Sequence, residues 1–178
     1  LNGTLVSNSS NTYAYRAYIE TLLSYGPSAK KSHLTASLFF KDDAGKMDQA
    51  NPNAAAADRN NGLTKRASFT AASHEVDMIG RLHSDIFLQE RYILNEVNTR
   101  IKLTRSKDAF CLMATGNQPF KLQITAAALL IRKVKISPSV YLAHAKTLET
   151  GMAKYPIRRV ICKTFTIPSG YLDVSHEK

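Results

Sequence analysis

The chain has 178 residues, 44% of them hydrophobic and 21% charged, enough apolar material for one ordinary core and too much for a disordered polar tract. Twenty-four Lys and Arg against 14 Asp and Glu give a formal charge of +10, which favours polyanions as neighbours without locating a site for them. No uninterrupted apolar run reaches the ~18 residues that a membrane helix needs, so a water-soluble chain without a membrane span is expected.

Asn2-Gly3 is a hairpin-turn dipeptide, because both residues tolerate positive φ. Only Leu1 precedes it, so the returning arm, residues 4–6, lacks its partner strand, and with no initiator Met the chain reads as an excerpt from a longer one. Asn2 and Asn8 also open glycosylation sequons, which in the absence of a visible secretory signal read as chance matches. Residues 11–25, "NTYAYRAYIETLLSY", set Tyr15, Tyr18, Ile19 and Leu22 at helical spacing, with Ser10 or Asn11 as cap and Gly26-Pro27 as stop. Tyrosines packed on a core with their hydroxyls at its edge are far commoner than base-stacking platforms, so these four are expected in the core.

Residues 34–40 form a short apolar element of undecided type. The stretch 41–62, "KDDAGKMDQANPNAAAADRNNG", has almost nothing to bury and reads as a surface loop. Its Asp42, Asp43 and Asp48 match no calcium-loop spacing and are expected to be solvated. Phe69, Val76, Met78 and Ile79 introduce a strand region ending near His83. Residues 84–97 are ambiguous, and residues 98–105 alternate with period two, which sends Ile101 and Leu103 inward and Arg100 and Lys102 outward. Residues 120–136, "FKLQITAAALLIRKVKI", read as one long strand or two joined ones, carrying Arg132, Lys133 and Lys135. Ser137-Pro138 starts a helix that runs to Glu149 and is closed by Gly151. A last strand spans 157–167 and turns at Pro168-Ser169-Gly170. Strand patterns separated by decorated loops, with only two secure helices, predict a mainly β sandwich with a few helices.

No nucleophile elbow, phosphate loop, H-E-x-x-H or dinucleotide fingerprint is present, and no catalytic residue, cofactor or metal is expected. The nearest constellation is His74, Glu75, Asp77, His83 and Asp85. On a strand, Glu75, Asp77 and His83 share one face, as metal ligands or an acid/base pair require, although solvated surface is the commoner fate of such groups. His33, His144 and His176 stand alone. Cys111 and Cys162 lie in apolar runs without metal or redox spacing, and are expected to be buried free thiols in a reducing compartment.

Four segments, "NTYAYRAYIETLLSYG", "KKSHLTASLFFKDDAGKMD", "VDMIGRLHSDIFLQERYILNEVNTRIKLTRSKDAFCLM" and "IRKVKISPSVYLAHAKTLETGMAKYPIRRVICKTFTIPSG", resemble in the same order the major capsid protein of Polinton or Maverick elements and adintoviruses. The resemblance covers nearly the whole chain apart from residues 50–61. It implies a double jelly-roll virion protein forming pseudo-hexameric trimers, present in the virion and, during assembly, in the host nucleus or cytoplasm. Residues 1–136 would then be the later part of the first jelly roll, and 137–178 the connecting helix and first strand of the second. Its expected partners are further copies of itself and other capsid proteins, with any DNA contact non-specific and through phosphates. The alternative function is a basic nucleic-acid-binding module, which has the charge but not the aromatic-basic signature.

Overall fold

The protein, seen as a computed structural model, is described for residues 1–7, 12–116, 119–167 and 169–170. Helix α1, Tyr13–Ser24, forms where the tyrosine spacing predicts it, and Pro27 opens the short helix α2, Pro27–Lys31. The expected caps Ser10 and Asn11 lie outside the described residues. A 3₁₀ turn, His33–Ser37, follows and ends at Leu38, whose φ of 56° puts a branched residue in the left-handed region. Helix α3, Asn61–Thr70, replaces the beginning of the strand region expected from Phe69. Short 3₁₀ turns stand at Ala71–Ser73 and Asp85–Phe87, and helix α4 at Asp108–Cys111. Helix α5, Pro138–Thr150, matches its sequence signals: the Ser137 hydroxyl accepts from the Val140 N–H at 3.5 Å, Pro138 sits in the first turn, and Gly151 lies just beyond the end.

The mainly β expectation, and with it the jelly-roll sandwich, is overturned: among the described residues no β-strand forms. A ladder needs repeated reciprocal bonds between neighbouring backbones. Here the backbone bonds between distant segments are isolated, from Asn2 to the Asn98 carbonyl at 2.9 Å and from Ile79 to the Ala36 carbonyl at 3.0 Å. Period-two alternation marks which face of a segment is apolar, but it does not supply the second strand. Residues 119–136 and 157–167 therefore run without a ladder, with Ile124, Leu130, Ile131 and Ile161 exposed. The Asn2-Gly3 turn does form, both residues having positive φ, and Asn98 meets it from far along the chain.

Apolar burial is correspondingly small. Ala54, Leu63 and Ile86 are the buried apolar residues among those described, beside the buried polar Thr21, Asn60 and Asp85. The accessible surface is 15536 Å² for 19.7 kDa, where a closed monomer of that mass would show about 8,600 Å².

The best-tied region is the loop before α3. Asn60, 2% exposed, is its centre. Its amide nitrogen donates to the Asp42 carboxylate at 2.9 Å and to the Lys46 carbonyl at 3.1 Å. Its amide oxygen accepts from the N–H groups of Gly62 at 3.1 Å, Leu63 at 3.4 Å and Asp43 at 3.4 Å. One side chain thus caps α3 and closes residues 42–60 into a loop. Arg66 adds a pair to Asp42 at 2.5 Å and a bond to the Phe40 carbonyl at 2.7 Å. Residues 41–60 are irregular, as expected for a loop over 41–62, whose last two residues open α3 instead; Asp48 is exposed as expected, but Asp42 holds Asn60 and Arg66, and Asp43 accepts from the Asn61 N–H at 2.8 Å.

Candidate functional site

A polar node fastens α1 to the segment around Asp85. Arg16 and Glu20 lie one turn apart on α1 and pair at 2.8 Å. The Arg16 guanidinium also reaches the Asp85 carboxylate at 2.5 Å, with only 12% and 7% of the two side chains exposed. The other Glu20 oxygen lies 2.7 Å from His83 Nδ1. A carboxylate can only accept, so Nδ1 carries the proton and Nε2 faces the Thr21 hydroxyl at 3.5 Å. The Tyr13 hydroxyl accepts from the His83 N–H at 3.0 Å, and Asp85 accepts from the Val160 N–H at 3.4 Å. Arg159 donates to the Val6 carbonyl at 3.1 Å and Ser7 meets Ser84 at 2.9 Å, so residues 6–7 and 159–160 gather around residues 83–85, which are tied to α1.

The electrostatics fit a set of mutually satisfied charges. Burial pushes the Glu20 carboxyl up, but hydrogen bonds from Arg16 and His83, with the Arg16 charge, outweigh it and hold the group below the usual carboxylate range. Burial alone would lower Arg16, and its bonds to Asp85 and Glu20 raise it instead.

Beside the node is an open cavity of about 530 Å³, walled by Tyr18, Leu34, Phe39 and Ile79, with Thr21 and His83 at its edge. Carboxylate, imidazole and hydroxyl stand in the order that activates a nucleophile. In this arrangement the hydroxyl is engaged elsewhere. Thr21 is buried, its hydroxyl donates to the Ala17 carbonyl at 2.7 Å, and at 3.5 Å His83 is poorly placed to take that proton. The node acts as a staple.

Of the constellation read from the sequence, His83 and Asp85 join this node through α1. Glu75 instead accepts from the Thr125 hydroxyl at 2.6 Å, and His74, Glu75 and Asp77 are exposed. Among the described residues no group of three His, Cys, Asp or Glu could hold a metal. His33 packs on Tyr25 and His144 lies on α5, while His176 and the Asn8 sequon fall outside the described residues. Sequence reading missed Arg16, Glu20 and Asn60. The i,i+4 spacing of the first two and the position of Asn60 directly before a helix were the available signals.

Three placements are corrections. Tyr15, Tyr18 and Ile19 are 44–46% exposed and Leu22 is half-buried, because α1 turns its Arg16, Glu20 and Thr21 side inward. Leu103, expected inside, is 73% exposed like its neighbours Arg100 and Lys102, while Ile101 is half-buried. Cys111 is exposed and Cys162 half-buried, so neither thiol is in a closed core, though both are free. The cationic stretch also contains an internal pair: Arg105 bonds Asp108, and hydrogen bonds from Arg105 and the Leu122 N–H hold the Asp108 carboxyl below its ordinary range.

No family model matches the chain. An uncharacterized protein of Caenorhabditis elegans is 26% identical over 176 residues, covering 97% of this chain and 39% of the relative, so the chain spans about two fifths of that protein's length. No solved structure matches. Among the described residues no helix is long and apolar enough to cross a membrane.

Proposed function

We propose that the chain is part of a structural subunit of a virus-like shell, of the major-capsid-protein kind, which assembles as trimers and acts by association rather than by catalysis. The observation that carries this reading is the surface. At 15536 Å² the chain exposes roughly 7,000 Å² more than a closed monomer of its mass, several times the ~800 Å² that one partner contributes to an ordinary interface. That surface includes large apolar side chains in segments outside the helices, such as Leu130 at 78% and Ile161 at 69% exposed. A surface of that size and kind is stable in water only when covered. The four-segment resemblance supplies the class of assembly, and the node around His83, whose groups are all engaged with one another, supports a non-enzymatic role. The jelly-roll sandwich forms no part of this reading.

Packaged DNA is a secondary contact in this proposal, made through phosphates by exposed cations such as Arg100 and Lys102. Electron microscopy and sedimentation of the full-length product test the reading. Trimeric capsomers or closed shells are expected. A persistent monomer that binds duplex DNA tightly would replace it with the nucleic-acid-binding module.

A further inference from the structure

Asn61-Gly62 occupies an unusual place for an Asn-Gly pair: Asn61 is exposed, while the Gly62 backbone it precedes is buried in the first turn of α3. We propose that this pair is a self-modification site guarded by the Asn60 clasp, so that opening the loop 41–60 converts Asn61 to isoaspartate and prevents the loop from closing again. The inference rests on the clasp alone and is independent of the shell reading.

The chemistry needs only water. The Gly62 backbone nitrogen, after losing its proton to solvent base, attacks Asn61 Cγ. A new C–N bond closes a five-membered succinimide, the Cγ–Nδ2 bond breaks, and the amide nitrogen leaves as ammonia. Water then adds to one of the two ring carbonyls. Opening one way gives an ordinary aspartate, and opening the other gives isoaspartate, whose main chain runs through the former side-chain carbons. Gly62 suits the attack because it has no Cβ to hinder its nitrogen.

In the closed loop this attack is blocked by geometry, and the attacking nitrogen belongs to a buried residue. The Gly62 N–H is committed to Asn60 Oδ1 at 3.1 Å, and the Asn61 N–H to Asp43 at 2.8 Å. Helical torsions on Asn61 hold its side chain away from the following nitrogen. Reaction therefore proceeds through the open loop, at a rate set by the population of that state.

The product does not fit the clasp. Asn60 Oδ1 meets the N–H groups of Gly62 and Leu63 together only at the normal spacing of the chain, and isoaspartate lengthens the main chain between Asn60 and Gly62. A Cβ on Gly62 would already stand 2.7 Å from the Lys41 carbonyl oxygen and 2.7 Å from the Asp42 carboxylate, so the α3 start lies tight on residues 41–42 and cannot take up the added length by moving towards them. The aspartate product keeps the chain length and adds an anion at an exposed position.

The test ages full-length protein at mildly alkaline pH, native and in urea, and resolves asparagine, aspartate and isoaspartate at this position by peptide mapping. Native Asn61 is expected to react at least roughly tenfold more slowly than the denatured chain, with the exposed Asn2-Gly3 turn changing less. Asn60→Ala should bring the native rate close to the denatured one. Equal rates for native and denatured wild-type protein would overturn the guarding role, whatever the variant does. For the reclosure claim, urea-aged chains carrying isoaspartate are refolded and treated with protease. Cleavage within 41–60 well above that of unaged, refolded chains is expected, and equal resistance of the two sinks the proposal.

Discussion

Replacing Asp85 measures what the polar node contributes. Asp85→Ala removes the carboxylate that receives Arg16 at 2.5 Å and the Val160 N–H at 3.4 Å. Removing one partner of a fully buried pair costs about 3–5 kcal/mol, chiefly because the other charge is stranded. Arg16 is not fully stranded, since Glu20 still holds it at 2.8 Å, so about half of that, ~2 kcal/mol, is expected. For a chain of this size the melting temperature should fall by about 4–8 °C. Asp85→Asn keeps the shape and an acceptor for Val160 while losing the charge, and should cost about half as much. Scanning calorimetry of the full-length protein at one fixed concentration is the assay, because assembly shifts melting by mass action. A double-mutant cycle with Arg16→Met should return a coupling of about 1 kcal/mol or more. An Asp85→Ala melting temperature within about 2 °C of wild type, or a coupling near zero, would show that the node is a surface arrangement without consequence.

Acid should weaken the same node. Because Glu20 is held below its ordinary value of 4.5, its contribution is complete above that pH and is lost as pH falls through the lower folded value; acid titration of Glu20→Gln should show a shallower loss than wild type between neutrality and strong acid. Thiol labelling under native conditions should modify the exposed Cys111 before the half-buried Cys162, and the reverse order would place Cys111 under cover in the assembled protein. DNA binding by the assembled protein should be sequence-independent and fall steeply with salt, and Arg100→Glu with Lys102→Glu should weaken it at low salt and flatten the salt slope by about two charges; sequence-selective binding that resists salt and is lost in the double variant would contradict the secondary role of DNA.

How far the sequence disclosed the fold depends on where each signal acts. Helices α1 and α5 were legible because their determinants are local: apolar spacing and the Gly26-Pro27 stop for α1, and Ser137, Pro138 and Gly151 for α5. The turn at Asn2-Gly3 was legible for the same reason. Strands were not, since alternation along residues 98–105 or 120–136 specifies one side of a pairing whose other side lies elsewhere. Helix α3 was hidden by weak local preference. Its start depends on Asn60, and Asn60 is in turn fixed by Asp42 and Lys46, which lie many residues earlier in a stretch that composition marks only as polar. The constellation around His83 was half legible: His83 and Asp85 were visible as candidates, but their partners Arg16 and Glu20 come from α1, and no spacing rule links the two segments.

The buried positions explain why the hydrophobic pattern was a poor guide. Asn60, Asp85 and Thr21 are as sequestered as Ala54, Leu63 and Ile86, so within this chain the tightest packing surrounds hydrogen-bonded polar groups. Such groups tie particular atoms together and give specificity, whereas the driving force for burial resides in apolar area. Here most of that area remains outside, on α1, on residues 119–136 and on residues 157–167. Polar staples thus set the local geometry of the chain while its apolar segments stay unsatisfied. On the proposed reading, in which association completes the core, substitutions at the staples should change the shape of the chain, and substitutions of Leu130 or Ile161 to Asp should change its state of assembly.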